Sequence, residues 1–277
     1  MTASVRPVLD APALVLRSDD PEVPAALVVA DLHLGLGATP ERPLGPPEAA
    51  ADSLADDVVR IARRERTVRV VIAGDVKHPI VGTPPYLRPV VFDYFGRLLE
   101  SGLGAEVVLG NHDVGLVRYL PKEVEVHPAS GVVVDGVRIF HGHRWPSNSV
   151  LRASRLVAGH LHPGYRLAPT AEDPKGKRRC WVRVQLPVPP AVSRRRRRHA
   201  TLRAREVVVL PAFNPLAGVE SLNREAPRRG RSFLYARFLA RGVARAFLLD
   251  GTDLGPLPTL PAPGPPKEGA ARPRSRR

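Results

Sequence analysis

The sequence predicts a mixed α/β fold built as one large domain. In the first 110 residues, short apolar segments typical of strands alternate with amphipathic segments typical of helices. After residue 130 the predicted strands follow one another through turn-forming residues, which indicates antiparallel pairs as well. Five of the predicted strands end in polar side chains, at the edge where open α/β sheets hold their sites. A chain of 277 residues with 43% hydrophobic residues can bury the core that this fold needs.

The first half of the chain alternates strands and helices. Apolar residues recur at helical spacing, as at Leu54, Val58 and Ile61, in two segments that we therefore predict to be helices. A loop rich in Pro and Gly, residues 40–47, is expected to skirt the mouth of the site. The predicted strands are residues 13–17, 26–30, 68–73 and 105–109, and the predicted helices are residues 48–64 and 86–100.

The second half of the chain is predicted to be mainly strands. Asp135-Gly136 suits a two-residue type I′ turn and predicts a hairpin of residues 132–134 and 137–140. Residues 187–199 are predicted to be an exposed loop, because five consecutive arginines cannot pack into a core. We predict that the domain spans residues 1–255 and that residues 256–277 form a disordered basic tail. The later strands are predicted at residues 156–158, 180–186, 206–210, 232–238 and 244–249.

The positive charge of the chain lies in its C-terminal part. Residues 1–170 contain 18 Lys and Arg against 19 Asp and Glu, whereas residues 171–277 contain 24 against 8. Basicity confined to one segment favours a polyanionic partner, and Arg194, Arg195, Arg196, Arg197 and Arg198 are the candidate nucleic-acid-binding residues. The alternative is that this arginine run is only a solvated face, which is the commoner meaning of such a run.

The residue types of the strand-end clusters predict a metal site without thiolate ligands. The single cysteine, Cys180, excludes an intrachain disulfide framework and a Cys-rich zinc site, and it fits a reducing cytoplasm. Oxygen and imidazole ligands suit manganese, iron or zinc, and seven ligands are too many for one tetrahedral ion but enough for two ions that share a carboxylate. The seven candidate ligands are Asp31, His33, Asp75, Asn111, His141, His160 and His162.

The clusters resemble, in order and spacing, the motifs of the calcineurin-like metallophosphoesterase superfamily over residues 31–162. Gly110-Asn111-His112-Asp113 is one of these motifs. Gly74-Asp75-Val76-Lys77-His78 and His141-Gly142-His143-Arg144-Trp145-Pro146 resemble in particular archaeal phosphoesterases related to the double-strand-break repair nuclease subunit, and bacterial relatives associated with DNA-ligase and helicase genes. The resemblance implies a four-layer α/β/β/α sandwich with two divalent metals at the strand ends. Manganese is the first expectation, with iron, zinc or nickel as alternatives.

The resemblance also implies a role for each residue. His112 would be the general acid or transition-state stabiliser beside the leaving group, Asp113 would orient it, and a hydroxide bridging the metals would attack phosphorus in line. Two dications, two carboxylates and one hydroxide leave a single positive charge, which matches the charge of one phosphodiester. The implied ligands are Asp31, His33 and His162 for the first metal, Asn111, His141 and His160 for the second, and Asp75 as the bridge.

Some histidines and one loop have more than one interpretation. His78 stands where many members of the family have Asp or Asn, and it either partners the catalytic histidine or contacts substrate phosphate. His141 is preferred over His143 as the ligand because family ligands precede the glycine at the strand end, so His143 is expected to lie behind the ligands. We interpret His127 and His199 as structural. Residues 213–215 either lie near the site or are ordinary loop residues, and the second interpretation is preferred.

These observations predict a dinuclear metal-dependent phosphoesterase, namely a phosphodiesterase or nuclease acting on DNA or RNA. A phosphomonoesterase is the alternative within the enzymes, and a nucleic-acid-binding scaffold subunit with a vestigial site is the alternative outside them. A helicase or another DNA-repair protein is the expected partner. The chain has no apolar run of 18 residues and no charged-then-apolar leader, so we expect a cytoplasmic protein without a membrane segment.

Overall fold

The structure, a computed structural model, contains two large β-sheets packed face to face and confirms the mixed α/β prediction. No helix among the described residues has the length and apolar character that crossing a membrane requires. The residues that the structure describes are 3–39, 42–43, 47–144, 153–167, 176–186, 204–223, 234, 239 and 243–259.

Among the described residues, the helices and strands that the sequence predicts occur in the predicted order, with further short strands between them. The helices are α1 (Pro47–Glu65), α2 (Leu87–Glu100) and two 3-10 helices, Leu116–Tyr119 and Leu257–Thr259. The strands of the first half are β1 (Ser4–Pro7), β2 (Leu14–Arg17), β3 (Ala26–Val29), β4 (Ala38–Thr39), β5 (Arg42–Pro43), β6 (Arg69–Ile72), β7 (Gly104–Val108) and β8 (Glu125–His127). The strands of the second half are β9 (Val132–Val134), β10 (Val137–Phe140), β11 (Arg155–Ala158), β12 (Pro163–Arg166), β13 (Lys177–Gln185), β14 (Glu206–Val209), β15 (Glu220–Ser221), β16 (Val243–Leu248) and β17 (Asp253–Pro256).

Each large sheet has parallel strands at its centre. The first sheet has the order β1-β2-β3-β6-β7-β8, in which β3, β6, β7 and β8 are parallel. The second has the order β15-β12-β13-β14-β11-β10-β9, with β16 also paired to β13, and its strands β10, β11 and β14 are parallel. The carboxyl ends of parallel strands share one edge of a sheet, so each sheet presents a row of loops at that edge.

The core forms layers because the central strands bury both faces. In β3, Leu27 and Val29 pack towards α1 and α2, while Ala26 and Val28 pack towards the second sheet. In the second sheet, alternate residues of β11 and β14 face the first sheet or an outer cluster that contains Leu234. Strands buried on both faces have continuous apolar sequences, and this pattern is what identifies them in the sequence.

The hairpin and the second helix show how local sequence sets local structure. Asp135 and Gly136 both have positive φ (49° and 78°), as a type I′ turn requires, and the flanking strands pair as predicted. The α2 helix buries one face against the first sheet, and Gly102 follows its end with φ 84°. The buried residues of α2 are Leu87, Val90, Val91, Tyr94, Phe95 and Leu98.

The predicted helices and most predicted strands agree with the structure to within one residue at each end, and β13 begins three residues earlier. The prediction missed β1, β4, β5, β8, β12, β15 and β17. Residues 256–259, predicted to belong to the tail, complete β17 and form a 3-10 helix, because Leu257 packs against the second sheet. The rest of the predicted tail, the arginine loop 187–199 and the strand 232–238 lie outside the described residues, except for Leu234, which is buried in helical conformation.

Candidate metal centre

The structure brings the seven candidate ligands together at the edge shared by the two sheets. They lie on the loops that follow β3, β6 and β7 in the first sheet, and β10 and β11 in the second. Hydrogen bonds join neighbouring loops: the Asp31 amide donates to the Gly74 carbonyl (3.0 Å), and the His160 amide donates to the Asp31 carboxylate (3.0 Å). Contact between the two sheets therefore assembles the cluster.

Asp31, His33 and His162 form the first group of potential ligands, with one ligand atom of each lying within 4.8 Å of the others. His162 Nε2 lies 3.2 Å from Asp31 Oδ1 and 3.3 Å from His33 Nε2. These are the three residues that the family resemblance assigns to the first metal.

The second group contains Asp75, His141 and His160, again with ligand atoms within 4.8 Å. His141 Nε2 lies 3.2 Å from Asp75 Oδ1 and 3.2 Å from Asn111 Oδ1. The structure thus also places Asn111 at this group, as the resemblance implies for the second metal.

The Asp75 carboxylate belongs to the second group and also faces the first. Its Oδ1 faces His141 at 3.2 Å, and its Oδ2 lies 3.8 Å from His33 Nε2 and 3.8 Å from His112 Nε2. A carboxylate with one oxygen towards each group has the arrangement that a bridging ligand needs.

Five of the seven candidate ligands have left-handed backbone conformation. Side chains other than glycine pay roughly 1–2 kcal/mol for this conformation, so its concentration at one site requires support from the surrounding structure. The five residues and their φ values are Asp31 (59°), His33 (44°), Asp75 (53°), His160 (70°) and His162 (46°).

Two glycines allow the loops to approach one another closely. A Cβ atom on Gly110 would lie 2.2 Å from Asp75 Oδ1, and one on Gly74 would lie 2.3 Å from His141 Nδ1. Both contacts are far below van der Waals distance, so any larger residue would displace a candidate ligand. The glycines in Gly110-Asn111 and Gly74-Asp75 are thus sterically required by the site.

Backbone carbonyls select which nitrogen of two imidazoles points into the site. His141 Nδ1 donates to the Ala73 carbonyl (2.7 Å), and His162 Nδ1 donates to the Gly218 carbonyl (3.0 Å). In each ring Nε2 therefore faces the other candidate ligands. This is the usual way in which a metal-binding histidine is oriented.

The residues fit two divalent cations. Two donor atoms that bind one ion with bonds of about 2.1 Å lie about 3.0 Å apart in an octahedral site and about 3.4 Å apart in a tetrahedral site. The distances between neighbouring donor atoms within the two groups, 3.2–3.3 Å, lie between these values. Asp31 and Asp75 are 0% and 2% exposed, and no Lys or Arg nitrogen among the described residues lies within 4.0 Å of either carboxylate. Buried carboxylates that have only imidazoles, and no Lys or Arg, as charged neighbours are suited to a bound cation.

The protonation states of the buried groups are consistent with this arrangement. Burial lowers the pKa of His33 and of His160 to about 4, so both rings are neutral at neutral pH. Burial also lowers the pKa of His141, but the hydrogen bond and charge of Asp75 outweigh it and raise the pKa to about 9. Burial raises the pKa of Asp31, but His162 holds it below its usual value. Without a cation, a proton on His141 therefore offsets part of the charge of the two carboxylates. Burial lowers the pKa of His162, but the charge and hydrogen bond of Asp31 outweigh it and raise that pKa above its usual value.

His112 lies beside the two groups, and Asp113 does not orient its ring. The His112 Nδ1 is hydrogen-bonded to the His78 carbonyl, and its side chain is 16% exposed at the mouth of the site. The Asp113 carboxylate instead accepts hydrogen bonds from the backbone amides of Val76 (2.9 Å) and Gly110 (2.8 Å). Asp113 thus does not contact the His112 imidazole as predicted, and instead joins the loop after β6 to the loop after β7.

Lys77 is a residue of the centre that sequence reasoning missed. It is 0% exposed, and its ammonium donates to the carbonyls of Pro79 and His112. Burial lowers the pKa of this ammonium, against the charges of Asp113 and Asp75. The position of Lys77 inside the Asp75 motif was visible in the sequence, but its two acceptors were not.

The two remaining candidate histidines lie at the margin of the centre. The His78 ring is stacked on the His112 ring, with centroids 5.7 Å apart, and lies 5.4 Å from the His33 ring. The His143 ring lies 5.3 Å from that of His141, and its Nδ1 is buried without a hydrogen bond to the described residues. Neither belongs to the two groups around the Asp31 and Asp75 carboxylates, although His78 forms a separate group with His33 and His112.

The loop after β14 supports the first group from behind. The Phe213 amide donates to the Ala30 carbonyl (2.8 Å), and Asn214 Nδ2 donates to the Leu32 carbonyl (2.8 Å). Phe213 and Asn214 thus lie next to the loop that carries Asp31 and His33, which is the interpretation of this segment that was not preferred from the sequence. His127 pairs instead with Glu106 (2.9 Å) and joins neither ligand group, and His199 lies outside the described residues.

Comparison with solved structures supports the fold class. The nuclease MPE of Pseudomonas putida is 18% identical, with a TM-score of 0.51, and the match covers 91% of this chain and 100% of that protein. The E. coli phosphoesterase YfcE is 21% identical, with a TM-score of 0.31, and the match covers 52% of this chain and 74% of YfcE. No protein-family model and no curated protein match the chain. The first likeness shows that this chain and the P. putida protein share a fold, and it supports the prediction of a mixed α/β sandwich.

Proposed function

We propose that this protein is a dinuclear metal-dependent phosphoesterase, and that its substrate is a phosphodiester in nucleic acid. The observation that carries the proposal is the Asp75 carboxylate between two groups of potential ligands, with its two oxygens facing different groups. A pair of divalent cations that share a carboxylate is the arrangement used to hold both the attacking and the leaving oxygen of a phosphoryl group.

Each residue of the centre has a role in this proposal. Asp75 would be the carboxylate shared by two bound cations, and the backbone carbonyls of Ala73 and Gly218 hold His141 and His162 in the tautomer that a metal ligand needs. The two ligand sets are Asp31, His33 and His162, and Asn111, His141 and His160. When bound, the cations polarise the phosphate and make water a stronger nucleophile near neutral pH.

His112 protonates the leaving oxygen. Its Nδ1 is occupied by the His78 carbonyl, so the proton that moves is the one on Nε2, which faces the Asp75 side of the site. The His112 amide also donates to Asp75 Oδ1 (2.9 Å), and this contact fixes the ring relative to the bridging carboxylate. A general acid held at one atom of its ring and at its backbone has little freedom to leave the reactive position.

A phosphodiester suits the charge of the centre, and a nucleic acid suits the charge of the chain. Two dications, two carboxylates and one hydroxide leave one positive charge, equal and opposite to one phosphodiester. Residues 171–277 carry 24 Lys and Arg against 8 Asp and Glu, and the P. putida protein of similar fold is named a nuclease. Manganese as the native metal, a cytoplasmic location and a helicase or other DNA-repair partner stay predictions.

Metal analysis and a substrate panel with Asp75→Asn test this proposal. Protein purified without chelator should contain about two divalent metals per chain and, with manganese, hydrolyse a bis-aryl phosphate in preference to a monoaryl phosphate. Asp75→Asn should lose metal and turnover together, because the amide has one good ligand oxygen and no charge.

Asp135→Asn is the matched control, since it removes a carboxylate from a type I′ turn that asparagine also suits. A wild type without bound metal would support the scaffold alternative. Preference for the monoester would support a phosphomonoesterase, and an Asp75→Asn variant with two tightly bound metals and normal turnover would overturn the bridging role.

A further inference from the structure

A cavity with a basic wall lies next to the metal centre. Its volume is about 630 Å³, within the range of small-molecule sites. Lys177, Arg178 and Arg179, the first residues of β13, form one wall. The remaining lining comes from Asp10, residues 215–219 and residues 248–250.

The register of the strands places this cavity at the same edge of the sheets as the metal centre. The start of β13 lies beyond the carboxyl end of β14, because the two strands are antiparallel and Val182 pairs with Val209. Asp10 precedes β2, whose Leu14 pairs with Val28 near the carboxyl end of β3. The cavity therefore opens on the side of the molecule that carries the loops with the candidate ligands.

The cavity and the metal centre share one wall. Residues 215–219 line the cavity, and the Gly218 carbonyl of the same segment accepts the hydrogen bond from His162 Nδ1 (3.0 Å). The next residue but one, Glu220, donates its amide to the His162 carbonyl (2.8 Å). A chain molecule that has one group at the metal centre can thus reach the cavity by passing over this short segment.

The charges of the lining favour an anion on the β13 wall. Lys177 and Arg178 are exposed, and Arg178 Nη1 donates to the Lys177 carbonyl (3.3 Å). Arg179 Nη1 donates to the carbonyls of Ala212 (3.1 Å) and Phe213 (2.8 Å). The carboxylates of Asp10 and Asp250 also line the cavity, which leaves one net positive charge. An anion would bind the exposed cations Lys177 and Arg178, while the carboxylates would limit how much negative charge the cavity accepts.

We propose that this cavity is a subsite for a backbone phosphate of a nucleic-acid strand whose reacting phosphodiester lies at the metal centre. This inference rests on the proposed function and identifies its substrate as a polynucleotide rather than a small diester. A backbone phosphate carries one negative charge, which matches the net charge of the cavity. The Lys177 and Arg178 side chains bind the phosphate, and Arg179 anchors the wall to the loop behind Asp31.

The double variant Lys177→Ser/Arg178→Ser tests the subsite. On a single-stranded oligonucleotide, KM should rise roughly 3- to 10-fold with kcat little changed, and the log–log dependence of affinity on salt should flatten by about 0.7 for each phosphate that is no longer neutralised. Hydrolysis of a bis-aryl phosphate should be unchanged, because this substrate does not reach the cavity. Asp250→Asn should act in the opposite direction and lower KM for the oligonucleotide.

Arg60→Ser/Arg63→Ser is the matched control, since it removes the same charge from exposed positions of α1. An equal rise in KM with the control, or an unchanged KM in the Lys177/Arg178 variant, would overturn the subsite. Binding of a fluorescent oligonucleotide, measured by anisotropy across a salt titration, gives a readout that does not need turnover. If wild type hydrolyses no diester, the proposed function fails, while the anisotropy of the two double variants still decides the subsite.

Discussion

His112 is held in place by three neighbouring residues. Its ring donates to the His78 carbonyl, its amide donates to Asp75 Oδ1, and its carbonyl accepts from the Lys77 ammonium. The residue contributes no atom to the two ligand groups around the Asp31 and Asp75 carboxylates. Positioning of His112 and binding of metal are therefore separable by mutation.

His112→Ala should leave the metal content unchanged and lower the turnover of esters with poor leaving groups by roughly 10²–10⁴. Activated aryl esters need less protonation of the leaving oxygen, so their turnover should fall less. His127→Ala is the control, because that histidine pairs with Glu106 away from the ligand groups. Kinetics on a series of esters with different leaving groups, together with metal analysis, checks the role. Equal losses across the series, or loss of metal, would contradict it.

Lys77→Met should disturb His112 without touching a ligand. Methionine keeps most of the side-chain volume but leaves the carbonyls of His112 and Pro79 unpaired, at a cost of about 1–3 kcal/mol for each. We expect a lower free energy of unfolding in urea and a larger loss of turnover on poor leaving groups than on activated ones. Lys122→Met, at an exposed lysine, should change neither. A purely structural role would lower both turnovers equally.

At the level of the elements, the loops after β6 and β10 set the pH dependence of metal binding. The pKa of His141 is raised to about 9 by Asp75 despite burial, so the ring carries a proton at neutral pH without a cation. Metal binding must release this proton. Metal affinity should therefore rise as the pH is raised towards 9 and decrease as the pH is lowered from 9. Calorimetric titration of manganese in two buffers with different ionisation enthalpies should show proton release at pH 7.5. Identical heats in both buffers would exclude it.

The central strands and both helices were predictable because their patterns are local. Continuous apolar runs identified β3, β6 and β7, and spacing of three and four identified α1 and α2. The short strand β12 escaped prediction because Pro163 and Gly164 disfavour a strand, and it exists only through pairing with β13 and β15. The last strand escaped for a similar reason, since Gly255 and Pro256 are typical of loops.

The candidate ligands were predictable because their motifs are contiguous in sequence, but the contacts that support them were not. Asn214 reaches the Leu32 carbonyl across 182 positions, and His141 reaches the Ala73 carbonyl across 68. The residues next to Asn214 and His141 in the sequence give no indication of such distant partners. The expected role of Asp113 failed for the same reason, because its amide donors come from the loop after β6 as well as from its own loop.

For the whole molecule, the split in charge predicts salt-dependent binding of a polyanion. Replacing all five arginines of residues 194–198 by Ser should flatten the log–log salt dependence of duplex DNA binding by about 0.9 for each arginine that neutralises a phosphate in the wild type. Hydrolysis of a small aryl diester should be spared, because that substrate does not touch the run. Anisotropy titrations of wild type and variant provide the measurement. Identical slopes would show that the run is a solvated face.

The left-handed backbone at the candidate ligands limits which residues evolution can place there. Asp31, His33, Asp75, His160 and His162 all have positive φ. Asparagine, aspartate and histidine are the side chains that enter this conformation most often after glycine, and the same three types supply oxygen and imidazole donors. Selection for folding alone would therefore keep these positions as glycine or as one of these three residue types, which can bind metal, even after activity had been lost. A descendant that had become a pure binding protein could recover a metal centre through few substitutions.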